Sequence, residues 1–223
     1  MSAKIIVIAN QKGGVGKTSI TMTLAGTLAK KNYKTLVLDA DPQATATRWM
    51  STASDENPFP AAVVGVYIAG EKIHREIKKF VEDYTYILVD CPPAADSPIT
   101  QSALLVADLV LIPIIPSPPD IWAALSIRKV IDNAKIINEN LMARLVINMH
   151  QEKTNISKEI KNLLPQFEIP ILKTTISTRV SFKESAALGC TLQDLGKKAN
   201  ASIEEIENLT QEIIKLFNDL IIQ

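Results

Sequence analysis

Residues 10–19 have the sequence NQKGGVGKTS, and the rest of the chain can be interpreted outward from them. They follow an apolar run at residues 5–9, IIVIA, which is typical of a buried strand. They precede residues 20–29, ITMTLAGTLA, whose apolar spacing predicts a helix. A glycine-rich turn between a strand and a helix is the context of a phosphate-binding loop, because glycines let successive backbone N–H groups approach the phosphates. We therefore predict that this turn binds the phosphates of a nucleotide at the helix N-terminus.

The loop also contains a second lysine. Gln11 stands where the pattern G-x-x-x-x-G-K-[ST] has its first glycine, and Lys12 follows it. Lys12 is poorly placed to hold phosphates of its own subunit, so it is either a solvated surface lysine or a side chain that reaches a nucleotide bound by a facing subunit. We expect Lys17 to contact the β- and γ-phosphates and the Thr18 hydroxyl to coordinate Mg²⁺. The predicted nucleotide-binding residues of the loop are Lys12, Gly13, Gly14, Val15, Gly16, Lys17, Thr18 and Ser19.

The composition is that of an ordinary globular protein. Of 223 residues, 47% are hydrophobic and 22% are charged, so we predict a single domain over residues 1–223. The formal net charge is zero, and any contact with nucleic acid or anionic lipid must therefore come from a local patch. Cys91 and Cys190 are too few for a zinc site or a disulfide framework, which favours a reducing, cytoplasmic location. We interpret Cys91 as a packed residue, since no histidine near it in sequence would activate it as a nucleophile.

Two further apolar runs end in carboxylates. Residues 35–43, TLVLDADPQ, contain Asp39 and Asp41, and residues 84–93, YTYILVDCPP, contain Asp90. The alternative for the first pair is a helix cap and a turn, which Asp-Pro sequences often form. However, ligands of α/β sheets bind at the carboxyl ends of the strands, where these carboxylates are expected. After a phosphate loop, a strand-terminal Asp predicts a residue that organises magnesium.

The second half of the chain continues the alternation of strands and helices. This alternation predicts an α/β fold, with a mainly parallel, twisted sheet and helices on both faces. Asn148 and Met149 end one strand, and the donors and acceptor of Asn148 suit recognition of adenine. His74, on a basic helical segment, is interpreted as a solvated residue. The predicted later elements are strands at 107–114, 143–149 and 169–175 and helices at 121–138, 156–164 and 203–223.

Three motifs in this order resemble the ParA/MinD family of deviant phosphate-loop ATPases: KGGVGKT at residues 12–18, LDADPQ at 38–43 and VDCPP at 89–93. The resemblance covers nearly the whole chain and implies a phosphate-loop NTPase of the deviant Walker A type. PSPPDIW at 116–122 and the short N-terminus look most like the small plasmid-type ParA proteins. Larger ParA proteins carry an N-terminal helix-turn-helix region. The first strand here begins at Lys4, so we expect no operator binding through such a region.

The resemblance also implies a mechanism. ATP and Mg²⁺ would be the cofactors, and ATP would drive formation of a sandwich homodimer in which each Lys12 contacts the partner's nucleotide. Asp41 would position the attacking water, while Asp90 would act on Mg²⁺ through water. Hydrolysis would stay slow until a ParB/ParG-like centromere-binding protein or another cargo adaptor engages the dimer. The resemblance assigns catalysis to Lys12, Lys17 and Asp41 and places Thr18, Asp39 and Asp90 around the metal.

The two outputs of this family are DNA binding and membrane binding. MinD-like proteins use a basic amphipathic C-terminal helix on the membrane, but the polar face at residues 203–223 is acidic here, and anionic lipid repels it. We therefore expect this helix to dock on the core and expect no stable membrane association. For non-specific DNA, which requires mainly phosphate neutralisation, residues 171–200 are locally basic. An ordinary solvated face is the alternative. The candidate DNA contacts are Arg179, Lys183, Lys197 and Lys198.

These observations favour a cytoplasmic, nucleoid-associated ParA-type ATPase that partitions a plasmid or chromosome. The alternatives are the same ATPase with a protein cargo, such as a carboxysome or chemoreceptor cluster, and a MinD-like membrane-associated ATPase. A reductase like the nitrogenase iron protein would need paired cysteines that share an iron–sulfur cluster between subunits. Cys91 lies in a proline turn and Cys190 has no motif around it, so we set that class aside.

Overall fold

The structure is a computed structural model that describes residues 2–94, 96–150 and 168–221. For residues 118–125 and 220–221 it describes the backbone alone. Two predicted features therefore lie outside the described part of the chain. They are the helix at 156–164 and the side chain of Trp122 in the proline-rich motif.

A seven-stranded sheet, in which every neighbouring pair of strands is parallel, forms the centre of the molecule. The strands are β1 (Lys4–Ile8), β2 (Thr35–Asp39), β3 (Ala62–Gly65), β4 (Tyr86–Asp90), β5 (Leu109–Ile114), β6 (Met142–His150) and β7 (Ile171–Ser177). Their spatial order is β3-β2-β4-β1-β5-β6-β7. The predicted parallel sheet is confirmed.

Helices cover both faces of the sheet, because alternate strand residues point to opposite sides and each side is apolar. Val7 and Val89 belong to one buried cluster, whereas Ile6 and Leu88 belong to the other. The described helices are α1 (Lys17–Lys30), α2 (Thr45–Ser51), α3 (Ile73–Lys78), α4 (Pro98–Leu104), α5 (Pro118–Lys135), α6 (Val180–Leu188) and α7 (Asn200–Ile221), with 3₁₀ segments at Tyr67–Lys72 and Gln193–Ala199. The α/β class is thus also confirmed, while the extent of the domain over residues 1–223 stays a prediction.

The sheet brings the predicted site elements to one edge. Ile8, the last residue of β1, pairs in register with Asp90 at the end of β4, and Asp39 at the end of β2 also pairs with Asp90. The glycine-rich loop follows β1 directly. Parallel strands therefore place the loop and both carboxylates at the same carboxyl edge, where α/β sheets bind ligands.

The basic segment that contains His74 forms a short helix, which contacts α4. A 3₁₀ segment at 67–72 precedes the short α3, and the ring of His74 is not simply solvated. Its Nδ1 lies 2.8 Å from Oγ of the buried Ser102, which holds α3 against α4. His74 is therefore half-buried, and its interpretation as a solvated residue holds only in part, because helical spacing alone does not show which neighbouring helix packs on that face.

The C-terminal helix α7 packs its apolar residues on the sheet, as expected, with Ile213 and Phe217 buried. Part of its acidic face has a structural role. The carboxylate of Glu212 accepts hydrogen bonds from the backbone N–H groups of Lys173 and Thr174, at 2.7 and 3.0 Å. These donors belong to the edge strand β7, whose unpaired N–H groups would otherwise invite pairing with another chain. Among the described helices, none has the length and apolar character needed to cross a bilayer.

Candidate nucleotide-binding site

The backbone of the glycine-rich loop adopts conformations that require glycine. Gly14 and Gly16 have φ values of 76° and 87°, in the left-handed region. A Cβ atom at Gly16 would lie 2.2 Å from Nδ2 of Asn148, so no larger residue fits there. The loop thus has the backbone conformations that its glycines permit, and binding of phosphates by it stays a prediction.

Two buried asparagines brace the loop from neighbouring strands. Asn148 donates from Nδ2 to the carbonyl oxygen of Val15 at 2.7 Å, and it is 4% exposed. On the other side, Asn10 donates from Nδ2 to the carbonyl oxygen of Pro113 at 2.6 Å and accepts from the Lys12 N–H at 3.1 Å. The ends of β5 and β6 therefore fix the shape of the loop.

This arrangement bears on two predictions from sequence. The structure places Asn148 and Met149 beside the loop, since a Cβ atom at Gly16 would also lie 3.3 Å from Cε of Met149. The amide nitrogen of Asn148 holds the loop, and a contact with adenine by either residue stays a prediction. Asn10 was not among the predicted site residues; its signal was an amide placed directly between a buried strand and a glycine-rich turn.

Lys17 lies inside the site. Its side chain is mostly buried, and Nζ donates to the carbonyl oxygen of Lys12 at 3.3 Å. Burial lowers the pKa of Lys17, and the negative charges of Asp90 and Asp41 partly oppose that shift. The ammonium group is thus held near both acidic strand ends, where a phosphate chain bound to the loop would meet it.

Thr18 and Asp90 form a pair at the base of the site. The Thr18 hydroxyl donates to Oδ2 of Asp90 at 2.6 Å, and the Thr21 hydroxyl lies 3.3 Å from the other carboxylate oxygen. Asp90 is completely buried. This burial raises the pKa of Asp90 to about 7; the Thr18 hydrogen bond and the charge of Lys17 lower it, whereas the neighbouring Asp39 raises it further.

The donor set fits a magnesium ion that is held mostly by phosphates and water. Mg²⁺ prefers hard oxygen ligands and is usually bound by one or two carboxylates together with substrate phosphates. Thr18 and Asp90 offer a hydroxyl and a carboxylate at one place. Within residues 2–94, 96–150 and 168–221, there is no group of three or more His, Cys, Asp or Glu side chains suited to a metal. The described residues therefore contain no all-protein metal cage.

Asp39 and Asp41 lie in different surroundings. Asp39 is fully buried, and its Oδ2 accepts hydrogen bonds from the N–H and the hydroxyl of Thr47, at 2.8 and 2.9 Å. Asp41 is half-buried, and its Oδ1 accepts from the N–H of Gln43 at 2.9 Å. A role of Asp39 around the metal stays a prediction, because the described contacts of Asp39 are with the chain itself.

The remaining predicted residues of the loop and of the strand ends differ in their exposure to solvent. Lys12 is exposed, as both interpretations of this residue require, and its action on a facing subunit stays a prediction. Cys91 is buried, and burial raises the pKa of its thiol to about 12, so it is a packed residue and not a nucleophile, as expected. Gly13 lies near Pro93, since a Cβ atom at Gly13 would be 3.7 Å from the Pro93 Cβ.

Residues 6–192 match the family model described as CobQ/CobB/MinD/ParA nucleotide binding domain. The chain belongs to this family. Maintenance of carboxysome distribution protein A from Halothiobacillus neapolitanus is 29% identical over 94% of this chain and 95% of its own length. Chromosome-partitioning ATPase Soj from Thermus thermophilus is 26% identical over 84% of this chain and 86% of its own length.

Members of the MinD/ParA family also share the fold of this chain. The septum site-determining protein MinD from Pyrococcus horikoshii, in complex with Mg-ADP, superposes with a TM-score of 0.78. The alignment covers 96% of this chain and 97% of that protein at 19% sequence identity, so it shows the fold alone. The resemblance that the three motifs indicated is therefore confirmed at the level of family and fold.

The predicted DNA contacts of this ParA-family chain are not equivalent. Arg179 donates from Nη2 to Glu205 at 2.8 Å, and Lys198 pairs with Glu184 at 2.9 Å. Lys183 is exposed, and so is Lys197, which lies in the 3₁₀ segment before α7. Neighbouring carboxylates thus reduce the positive charge that the sequence pattern indicated, and DNA binding at this surface stays a prediction.

Proposed function

We propose that this chain is a ParA-type ATPase that binds ATP with Mg²⁺ and forms an ATP-dependent sandwich homodimer. The hydrogen bond between Thr18 and Asp90 carries this proposal, because it puts a hydroxyl and a strand-terminal carboxylate side by side below the glycine-rich loop. Lys17, held among the acidic strand ends, adds the positive charge that a triphosphate needs. The family membership and the Mg-ADP complex of the Pyrococcus protein support the choice of cofactors.

Each residue has a defined task in the proposed reaction. Thr18 and, through water, Asp90 would hold Mg²⁺, which supplies neutralisation of the charge on the β- and γ-phosphates. Lys17 would bind the same phosphates. Asp41 would orient the attacking water, and Lys12 would reach the nucleotide of the facing subunit. Because two subunits complete each site, hydrolysis would dissolve the dimer that ATP created.

We further propose that the dimer binds DNA without sequence preference and resides on the nucleoid. The exposed side chains of Lys183 and Lys197 support DNA binding, and a dimer would carry two copies of each. A ParB/ParG-like or other adaptor protein would stimulate hydrolysis. Against a MinD-like membrane-associated ATPase stands the acidic face of α7, in which Glu205 and Glu212 bond to the edge strand β7.

Partition of a plasmid or chromosome is the first candidate output, and the similarity to a chromosome-partitioning ATPase supports it. A second candidate is the positioning of a protein cargo on the nucleoid. The similarity to a carboxysome distribution protein over 94% of this chain favours that candidate. Deletion of the gene from its host separates them: elevated loss of a plasmid supports the first, and mispositioning of a protein compartment with normal plasmid inheritance supports the second.

The experiment that tests the shared mechanism measures binding to random-sequence duplex DNA by fluorescence anisotropy, with ATP, with ADP and without nucleotide. Lys12→Gln is compared with Lys135→Gln, a matched change of an exposed lysine at the end of α5. We expect binding only with ATP, steep weakening by salt and loss of binding in Lys12→Gln alone. Absence of binding under every nucleotide condition would refute the DNA-carried function.

A further inference from the structure

The buried carboxylate of Asp39 holds the segment that carries Asp41 at both of its ends. Oδ2 accepts from the N–H and hydroxyl of Thr47, at 2.8 and 2.9 Å, and Oδ1 accepts from the N–H of Asp41 at 3.3 Å. A buried carboxylate needs such donors, because burying an unsatisfied charge is strongly unfavourable. Residues 41–47 are therefore closed into a loop by one side chain.

The donors also explain how this loop begins a helix. Thr47 lies in the first turn of α2, where backbone N–H groups lack a partner inside the helix. The carboxylate of Asp39 takes up one of them from outside the helix. With two donors on Oδ2, that oxygen has used both of its lone-pair directions on Thr47. Asp39 is thus bonded to α2 through Oδ2, which accepts two hydrogen bonds, whereas Oδ1 accepts the longer bond from Asp41.

Asp41 is itself the first anchor point, through its backbone N–H. Its own carboxylate accepts from the Gln43 N–H at 2.9 Å, and its carbonyl oxygen accepts from the Ala44 N–H at 2.8 Å. Ala44 has a φ of 52°, in the left-handed region that an alanine adopts only when its surroundings impose it. The tight turn after Asp41 is therefore held in one conformation from outside, and the bonds to Asp39 are the restraints that the structure shows.

We propose that Thr47 is a positioning residue for ATP hydrolysis: through Asp39 it fixes the turn from which Asp41 orients the attacking water. This inference rests on the proposed function and deepens it. Asp39 then acts as the anchor of the loop and not as a group that organises the metal. The geometry of water attack is sensitive to displacements of about 1 Å, so loosening this loop lowers turnover without removing any group that binds ATP.

The test removes one hydrogen bond and keeps the shape. Thr47→Val deletes the hydroxyl but retains the backbone bond to Asp39, and Thr47→Ser retains the hydroxyl. Thr45→Val, at an exposed position of the same helix, is the matched control. ATP affinity is measured with a fluorescent analogue, and turnover is measured at saturating ATP, with thermal melting as a check of folding.

We expect Thr47→Val to lower kcat by about tenfold while ATP affinity changes by less than about twofold, because the change loosens the turn that carries Asp41 and removes no group that binds ATP. Thr47→Ser and Thr45→Val keep the turnover of the wild type. Unchanged kcat in Thr47→Val overturns the positioning role, and so does a parallel loss of affinity and turnover that Thr47→Ser fails to restore. Absence of turnover in the wild type itself refutes the proposed function, and the positioning role falls with it.

Discussion

The hydroxyl of Thr18 donates a 2.6 Å hydrogen bond to Asp90, a residue 72 positions away in the sequence. Thr18 lies in the first turn of α1 and Asp90 ends β4, which is the neighbour of β1 in the sheet. The pair therefore exists because β1 and β4 are parallel and in register, with Ile8 beside Asp90. The burial of Asp90 affects the stability of the protein as well as ligand binding.

Asp90→Asn should stabilise the nucleotide-free protein at alkaline pH. Burial raises the folded-state pKa of Asp90 from 3.8 to about 7, so between these values the folded chain keeps a proton that the unfolded chain loses. Stability then falls as pH rises, by up to ~4 kcal/mol at and above pH 7. In urea unfolding without Mg²⁺, we expect the variant's gain in the free energy of unfolding to be larger at pH 8 than at pH 5 by ~3 kcal/mol. An equal gain at both pH values would contradict this prediction.

Binding of Mg²⁺ with ATP should release a proton from Asp90 near neutral pH. The metal favours the charged carboxylate, whereas the raised pKa of Asp90 keeps a large fraction protonated below pH 7. Calorimetry at pH 6.5 in two buffers of different ionisation enthalpy measures the proton count. Asp90→Asn provides the baseline for protonation of the nucleotide itself, and the wild type should release more protons than the variant. Equal release by both proteins would mean that Asp90 loses no proton on binding.

Gly16→Ala should destabilise the protein more than Gly14→Ala does. Both glycines have positive φ, which imposes about 1–2 kcal/mol of strain on alanine. At Gly16 the added Cβ would also lie 2.2 Å from Nδ2 of Asn148, whereas nothing lies within 4 Å at Gly14. We expect an additional loss of ~2 kcal/mol in the free energy of unfolding for Gly16→Ala. Urea denaturation of the two variants measures this difference, and equal losses would mean that Asn148 can move away.

Gly189→Ala should destabilise the protein strongly. Gly189 ends α6 with a φ of 64°, and a Cβ there would lie 2.1 Å from the backbone nitrogen of Ala53. The left-handed conformation alone imposes about 1–2 kcal/mol of strain on alanine, and the close approach to the residues after α2 adds to it. We expect a loss of about 3 kcal/mol or more in the free energy of unfolding, measured by urea denaturation. A loss no larger than the left-handed strain alone would contradict the close packing of α6 against the end of α2.

Glu212→Leu should loosen the edge of the sheet. The change leaves the N–H groups of Lys173 and Thr174 without the carboxylate that they contact, at a loss of about 1–3 kcal/mol. Hydrogen exchange at these two amides should accelerate. Glu204→Leu, at an exposed position of α7, is the control and should leave their exchange unchanged. Slow exchange in both variants would show that these amides do not depend on Glu212.

Much of the candidate site could be predicted from local pattern. The segment at 10–19 contains its own turn chemistry, and the apolar runs that end in Asp39 and Asp90 identify parallel strands. Since the carboxyl ends of parallel strands meet at one edge, the meeting of these three segments followed without any knowledge of packing. The acidic polar face of the last helix likewise predicted docking on the core.

The partners of individual side chains could not be predicted in this way. Asn148 contacts Val15 across 133 positions, Thr47 binds Asp39 across eight, and Arg179 pairs with Glu205 across 26. The same Arg179 was predicted to be a DNA contact, because its sequence context shows positive charge but not the carboxylate that packs beside it.

The physical reason lies in the range of the interactions. Strand and helix periodicity, glycine conformations and strand-end chemistry are properties of a few consecutive residues, so the order of amino acids specifies them directly. Hydrogen bonds and ion pairs between elements depend on distances of a few tenths of an ångström, which arise only when all the elements pack together. The chain thus encodes a phosphate loop and a parallel sheet locally, while the pairing of Asp39 with Thr47 and of Glu212 with strand β7 is set by the packed fold.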